Sequence, residues 1–207
     1  TLSIVELAKL TDSKILFLSS YIYGKPKYFP VDEYHPVKPN NPYMESKWIS
    51  EQVCSNLTTQ LGIPLIIFRL FNVYGPSLNK GRLIPDLINN VINNQTLILN
   101  DPNPKRDYLY IKDFEDLIYN ILKMKAFKKR VYNVGGGKAY SNLEVARKIL
   151  SISNKRLKIK ILNQKRENDV DICFSNNNKL NSDLKWNPSI DLDQGLTEIL
   201  NSKKDKL

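Results

Sequence analysis

Cysteine and histidine are nearly missing from this chain of 207 residues: Cys54, Cys173 and His35 are all it has. That is too few for a disulfide framework or a zinc site, so a reduced, cytoplasmic protein without a structural metal is expected. Long hydrophobic runs are lacking too. None approaches the roughly 20 apolar residues of a membrane span, and no signal-peptide pattern opens the sequence, so no membrane role is expected. Glycine is sparse, and the one glycine cluster, GGGK at 135–138, lacks the G-x-x-x-x-G-K-[ST] spacing of a phosphate loop. Acidic residues are outnumbered 21 to 31 by lysine and arginine, a formal net charge of +10. The excess is scattered rather than gathered into an aromatic-interleaved stripe, which argues against a nucleic-acid partner. The basic runs at 128–130 and 203–206 read as solvated surface.

What remains is an ordinary globular composition, 42% apolar and 25% charged, enough for one substantial core and a small second lobe. TLSIVELAKLT reads as a helix already in progress, with Leu2, Val5, Leu7, Ala8 and Leu10 near one stripe and no capping residue ahead of it. Together with Thr1 in first position, this suggests a fragment of a longer polypeptide. KILFLSS then carries the continuous apolar run of a strand buried on both faces. After a proline-punctuated loop, Asn41 can cap a helix whose first residue is Pro42 and which ends at Gly62. IPLIIFRLFN is a second buried strand, so strand, crossover helix and strand form a right-handed parallel unit. Further on, the pattern predicts helices from about Leu83 to Asn94, over 113–125, from a Ser141 cap, and over DLDQGLTEILN. Strands are predicted at TLILN, RDYLYI, VYNV and LKIKIL. The organisation is α/β, with a more irregular C-terminal lobe interleaved.

The spacing Y-x-x-x-K occurs six times: Tyr21/Lys25, Tyr23/Lys27, Tyr34/Lys38, Tyr43/Lys47, Tyr108/Lys112 and Tyr119/Lys123. In a helix, residues four apart are neighbours, so a lysine ammonium can stabilise a phenolate and make the pair an acid/base unit. The first three pairs fall in the Pro/Gly-rich loop, and the fifth begins in a strand. Of the two helical pairs, Tyr43/Lys47 starts the helix that leaves the ILFLSS strand, and ligands of open α/β sheets bind outside the carboxyl ends of strands. Ser19 and Ser20 stand at such an end. Tyr119 has no comparable neighbour.

At these residues the sequence resembles the extended short-chain dehydrogenase/reductase family, the NAD-dependent nucleotide-sugar epimerases and dehydratases. FLSSYIYG is similar to the family's strand end, YMESK to its Y-x-x-x-K motif. FRLFNVYGP, KRDYLYIKD, VYNVGGG and LKWNPSIDLDQGL follow in the family's order, so the likeness runs from Thr1 to about Leu200. It implies a Rossmann-like parallel sheet with helices on both faces, its N-terminal part absent, and a small interleaved α/β substrate lobe. Residues 1–75 would belong to the NAD-binding domain and 76–207 mainly to the sugar-nucleotide lobe, with 107–140 returning in part to the first.

The resemblance further implies Tyr43 as catalytic base, Lys47 as the group that stabilises its phenolate and holds the nicotinamide ribose, and Ser19 as the active-site hydroxyl. Leu70 and Phe71 would lie against the cofactor, which is NAD, with NADP as the alternative. Asn72, Arg106 and Arg166 would meet the diphosphate and Asp169 the nucleotide ribose of a nucleotide-diphosphate sugar, in a homodimer. Against these stand plainer roles: a backbone-bonded hydroxyl for Ser19, a turn stabiliser for Asn72, a surface ion pair for Arg106. His35 reads as a surface loop residue, and Trp48 and Trp186 as packing.

Departures from the pattern narrow the chemistry. The dehydratases' Asp-Glu pair is replaced by Ser20 and Tyr21, which disfavours dehydration. The extra Cys and His of epimerases that invert carbons beside a ketone have no counterpart either. Hydride transfer remains, as 4-epimerisation or as 4-keto reduction. The family's G-x-x-G-x-x-G turn, which seats the pyrophosphate at a helix N-terminus, is nowhere in the chain. A catalytically silent sugar-nucleotide-binding or interaction fragment is therefore the rival of another class.

Overall fold

Three short apolar runs assemble the sheet that organises the chain. The computed structural model describes residues 1–76, 81–124, 130–166 and 169–204. β1 (Ile15–Ser20), β2 (Leu65–Leu70) and β6 (Arg130–Val134) pair in parallel in the order β1-β2-β6, with Ser19 opposite Arg69 and Arg69 opposite Asn133. Between β1 and β2 runs α2 (Pro42–Leu61), the expected crossover. β2 is buried along five of its six residues, as a strand covered on both faces must be.

Helices cover both faces. α1 (Leu2–Leu10) and α2 lie on one, where Val5, Ala8 and Cys54 meet Ile15, Leu65 and Ile67. α4 (Ile111–Lys123) and α6 (Asn178–Leu184) lie on the other, where Leu117, Ile121, Leu180 and Trp186 meet Ile66, Phe68 and Tyr132. The apolar stripe expected of α1 is only partly used. Val5 and Ala8 are buried, but Leu2, Leu7 and Leu10 are exposed, because only the side facing α2 and β1 finds partners among the described residues. Among those residues β1 has no neighbour on its other edge.

The second lobe is built around β3 (Asn72–Tyr74) and β5 (Lys105–Tyr110), which pair in parallel. β7 (Ala139–Ser141) and β9 (Ile172–Cys173) add to β5, while β4 (Leu97–Leu99) and β8 (Ile159–Ile161) form a separate parallel pair. α3 (Leu83–Ile92), α5 (Asn142–Ser153) and α7 (Leu192–Lys204) pack Leu87, Val91, Ile149 and Leu196 around Tyr74 and Tyr110. α5 begins at the expected cap: Ser141 accepts from the Glu144 amide, and Glu144 returns the bond to the Ser141 amide. The chain passes from β5 through α4 back to β6 of the first sheet. The two sheets are thus interleaved in sequence.

Of the two basic runs, residues 128, 129, 205 and 206 lie outside the described residues. No helix among the described residues is long and apolar enough to cross a membrane.

Candidate active site

α2 presents its polar groups in a ladder. Asn41 accepts a hydrogen bond from the Met44 amide at 2.9 Å and Pro42 occupies the first turn, so the helix start is fixed two residues before Tyr43. Tyr43, Lys47 and Glu51 then follow at intervals of four and share one face. Glu51 is almost fully buried, and its carboxylate holds Arg69 of β2 through bonds of 2.8 to 3.2 Å. Arg69 also donates to Tyr23 Oη at 3.0 Å, and Tyr23 donates to Asn133 Oδ1 at 2.6 Å. Burial pushes the Tyr23 phenol up to about 12, against the lowering effect of the Arg69 charge. This network ties the ladder's inner end to the sheet.

The outer end reaches the carboxyl end of β1. Lys47 Nζ donates to the Leu18 carbonyl at 3.1 Å and stands 5.8 Å from the Phe17 ring and 6.0 Å from the Tyr43 ring. By strand alternation Ser19 shares the face of Ile15 and Phe17, which pack towards α2. Its side chain is buried, yet its Oγ has no hydrogen-bond partner among the described residues. The backbone-bonded role is therefore not what the fold gives it. A buried hydroxyl without a partner is costly and expects one. Tyr43 is half exposed. Leu70 ends β2 opposite Ser20, and the amide of Phe71, which follows it, donates to the Val134 carbonyl at 3.0 Å.

The other tyrosine–lysine pairs are spent elsewhere. Tyr21 donates to the Gly24 carbonyl, and burial raises its ionisation far above the ordinary phenol range. Tyr34 is 87% exposed. Lys112 pairs with Glu198, and Tyr119 meets Lys123 on the exposed side of α4.

Asn72, Arg106, Arg166 and Asp169 are brought together in a second place, a cavity of about 850 Å³ whose lining also includes Arg82, Tyr108 and Asn142. Ser19, Tyr43 and Lys47 are not in its lining. Asn72 Nδ2 donates to the Asp107 carbonyl at 2.9 Å, which fixes β3 to β5 rather than a turn at Gly75. Arg106 forms a partly buried ion pair with Asp169. Arg166 is exposed and has no side-chain bond among the described residues; Glu167 and Asn168 beside it lie outside them.

One expectation is corrected. His35 is buried, not a surface residue: Nε2 accepts from the Lys27 amide at 2.8 Å, so Nδ1 carries the proton toward the Pro36 carbonyl at 3.0 Å. The Tyr23 and Tyr28 rings lie 5.5 and 4.7 Å away, and the loop folds around it. Glu51, Arg69 and Asp107 escaped the sequence reading. An arginine inside the apolar run IIFRLF and a glutamate one turn beyond Lys47 were the available signals.

The model of the NAD dependent epimerase/dehydratase family matches residues 1–135. A Methanocaldococcus jannaschii protein, provisionally named a UDP-glucose 4-epimerase, is 33% identical across 99% of this chain, which covers 68% of that protein. UDP-glucose 4-epimerase 2 of Oryza sativa is 27% identical across 94% of the chain, which covers 53% of it. The dTDP-glucose 4,6-dehydratase of Bacillus anthracis, solved in complex with NAD, superimposes with a TM-score of 0.88 at 26% identity, over 99% of this chain and 66% of its own. The chain thus spans about half to two thirds of these relatives.

Proposed function

Because the chain belongs to the NAD dependent epimerase/dehydratase family, we propose that the protein inverts carbon 4 of a nucleoside-diphosphate hexose by way of a 4-keto sugar. The observation that supports this reading is Lys47, one helical turn from Tyr43, reaching the Leu18 carbonyl at the carboxyl end of β1, next to the buried Ser19 hydroxyl that has no partner among the described residues.

NAD, with NADP as the alternative, supplies the hydride acceptor and donor when bound. Lys47 would hold the ribose of its nicotinamide end, and Leu70 and Phe71 would lie against the cofactor. No described residues form a glycine-rich strand–turn–helix for the pyrophosphate. In the proposed reaction Tyr43 Oη removes the proton of the sugar 4-hydroxyl as general base. Lys47, one helical turn along, stabilises the phenolate, and Ser19 Oγ bridges the sugar oxygen and Tyr43. Tyr43 returns the proton when the ketone, turned over in the site, is reduced on its other face. Asn72, Arg106 and Arg166 hold the diphosphate and Asp169 the ribose, arginine's fork matching phosphate oxygens. Residues 1–75 form the cofactor side except for β3, which belongs with β5 to the sugar-nucleotide lobe, and 76–207 form mainly that lobe, with 107–140 returning in part to the first. Tyr21, bonded to the Gly24 carbonyl and resistant to ionisation, supplies no acid/base group for dehydration.

The test incubates the whole protein, as its gene encodes it, with UDP-glucose or UDP-N-acetylglucosamine and a catalytic amount of NAD, and follows carbon 4 by NMR. Inversion without net formation of NADH supports the proposal. Stoichiometric consumption of NAD(P)H with a 4-keto sugar would replace it with 4-keto reduction, and absence of both reactions together with absence of cofactor binding would overturn it.

A further inference from the structure

The GGG turn after β6 and one fully buried carboxylate find their explanation in each other. Asp107 is 0% exposed. Its carboxylate accepts from the Gly136 amide, from the Gly137 amide at 3.1 Å, from the Ser175 amide at 2.8 Å and from Ser175 Oγ at 2.7 Å. The backbone N–H groups that would cradle a phosphate are occupied by the Asp107 carboxyl oxygens. The turn needs its glycines for this: a Cβ at Gly135 would stand 2.5 Å from both Asp107 Oδ2 and Ser175 Oγ.

All four donors come from outside β5. Two follow β6 of the first sheet. Two belong to Ser175, which bridges to Val31 in the loop that leaves β1. By alternation, the neighbours of Asp107 face the opposite way, and Arg106 and Tyr108 line the large cavity. The Asp107 carbonyl also accepts from Asn72. One residue therefore joins the strand that faces the substrate cavity to the sheet that carries Ser19 and supports α2, the helix of Tyr43 and Lys47.

We propose that Asp107 is a positioning residue: its buried carboxylate, bonded to Gly136, Gly137 and Ser175, sets the register between the sugar-nucleotide lobe and the catalytic sheet. This rests on the proposed function and goes beyond it. The nucleotide contacts assigned to Asn72, Arg106, Arg166 and Asp169 all lie on the lobe, so they move together when the tie is broken. The sugar's carbon 4, reached from the lobe, must meet groups fixed to the other sheet. Loosening Asp107 thus leaves nucleotide affinity in place and misaligns the reacting atoms, and misplacement of about 1 Å is worth on the order of 100-fold in rate.

The variants are Asp107→Asn, which keeps the volume and turns an NH₂ group toward one set of donors, and Ser175→Ala, which removes one of the four bonds. In the whole protein, kcat and the dissociation constant of UDP or dTDP, whichever the wild type binds, are measured for each. The expected result for Asp107→Asn is a fall in kcat of about tenfold or more with a change in nucleotide affinity below about threefold. Ser175→Ala gives a smaller fall of the same kind, and it decides the matter if Asp107→Asn does not fold. Unchanged kcat overturns the proposal, and so does a parallel loss of kcat and nucleotide affinity, which marks a residue that only holds the fold. A wild type that binds neither nucleotide overturns the function on which the proposal stands. A wild type that binds and turns over, with unaltered variants, overturns the role of Asp107 alone.

Discussion

Replacing Arg69 by methionine leaves the Glu51 carboxylate buried without a counter-charge. Both side chains are nearly inaccessible, at 7% and 1% exposure, and all the hydrogen bonds described for the Glu51 carboxylate come from Arg69. Removing one partner of such a pair costs about 3–5 kcal/mol, whereas replacing both by apolar groups of similar volume is often close to neutral. For a chain of this size, each kcal/mol shifts the melting temperature by about 2–4 °C. Arg69→Met is therefore expected to lower Tm by about 6–20 °C, and Glu51→Leu/Arg69→Met to recover most of that loss. Tyr23 keeps its bond to Asn133 in both variants, so its contribution cancels in the comparison. Urea denaturation followed by circular dichroism, with thermal melts alongside, measures both. A single variant that costs less than about 1 kcal/mol, or a double variant no more stable than the single, would refute the argument that the ladder's inner end is an obligate buried ion pair.

Three further outcomes follow from the same contacts. Asn41→Ala removes the side-chain cap of α2 and should cost about 1 kcal/mol in denaturant titration; an unchanged midpoint would mean that Pro42 alone fixes the helix start. Gly135→Ala places a methyl group against Asp107 and Ser175 in a tight turn, and a loss of about 1–3 kcal/mol is expected in the same assay. Burial raises Tyr23 and Tyr108 to about 12 and Cys173 to about 12, each above its ordinary value. The folded state therefore keeps protons that the unfolded state releases, so stability falls as pH rises from the ordinary thiol and phenol ranges through about 12. Phenolate absorbance should rise together with loss of the fold in that window, and complete ionisation of a chain that remains folded would contradict it.

The fold was legible where local chemistry and packing agree. α2 announced itself through Asn41-Pro42 at one end and Gly62 at the other, and the structure uses all three. The uninterrupted apolar runs at ILFL and LIIF both became strands, but only LIIF is covered on both faces; in β1, at the edge of the described sheet, Leu18 is exposed. Six copies of the Tyr–Lys spacing carried no information until their elements were placed, and only Tyr43/Lys47 lies on the helix that crosses over from β1, with Lys47 reaching the Leu18 carbonyl. His35, Glu51 and Asp107 were opaque because their partners are distant or are created by the folded loop. Asp107 bonds to groups 29 to 68 residues away, and within RDYLYI nothing distinguishes it from a surface acid. Leu2, Leu7 and Leu10 illustrate the converse, since a helical stripe records apolar spacing and not which side finds a partner.

The central claim is that Tyr43, supported by Lys47 and Ser19, moves the proton at carbon 4. Tyr43→Phe in the whole protein removes one oxygen atom from a half-exposed side chain that makes no described hydrogen bond, so folding and nucleotide affinity should be retained. Turnover of the sugar nucleotide should fall by about 100-fold or more, the usual contribution of a positioned acid/base group. Retained nucleotide binding with turnover within a few-fold of wild type would contradict the account.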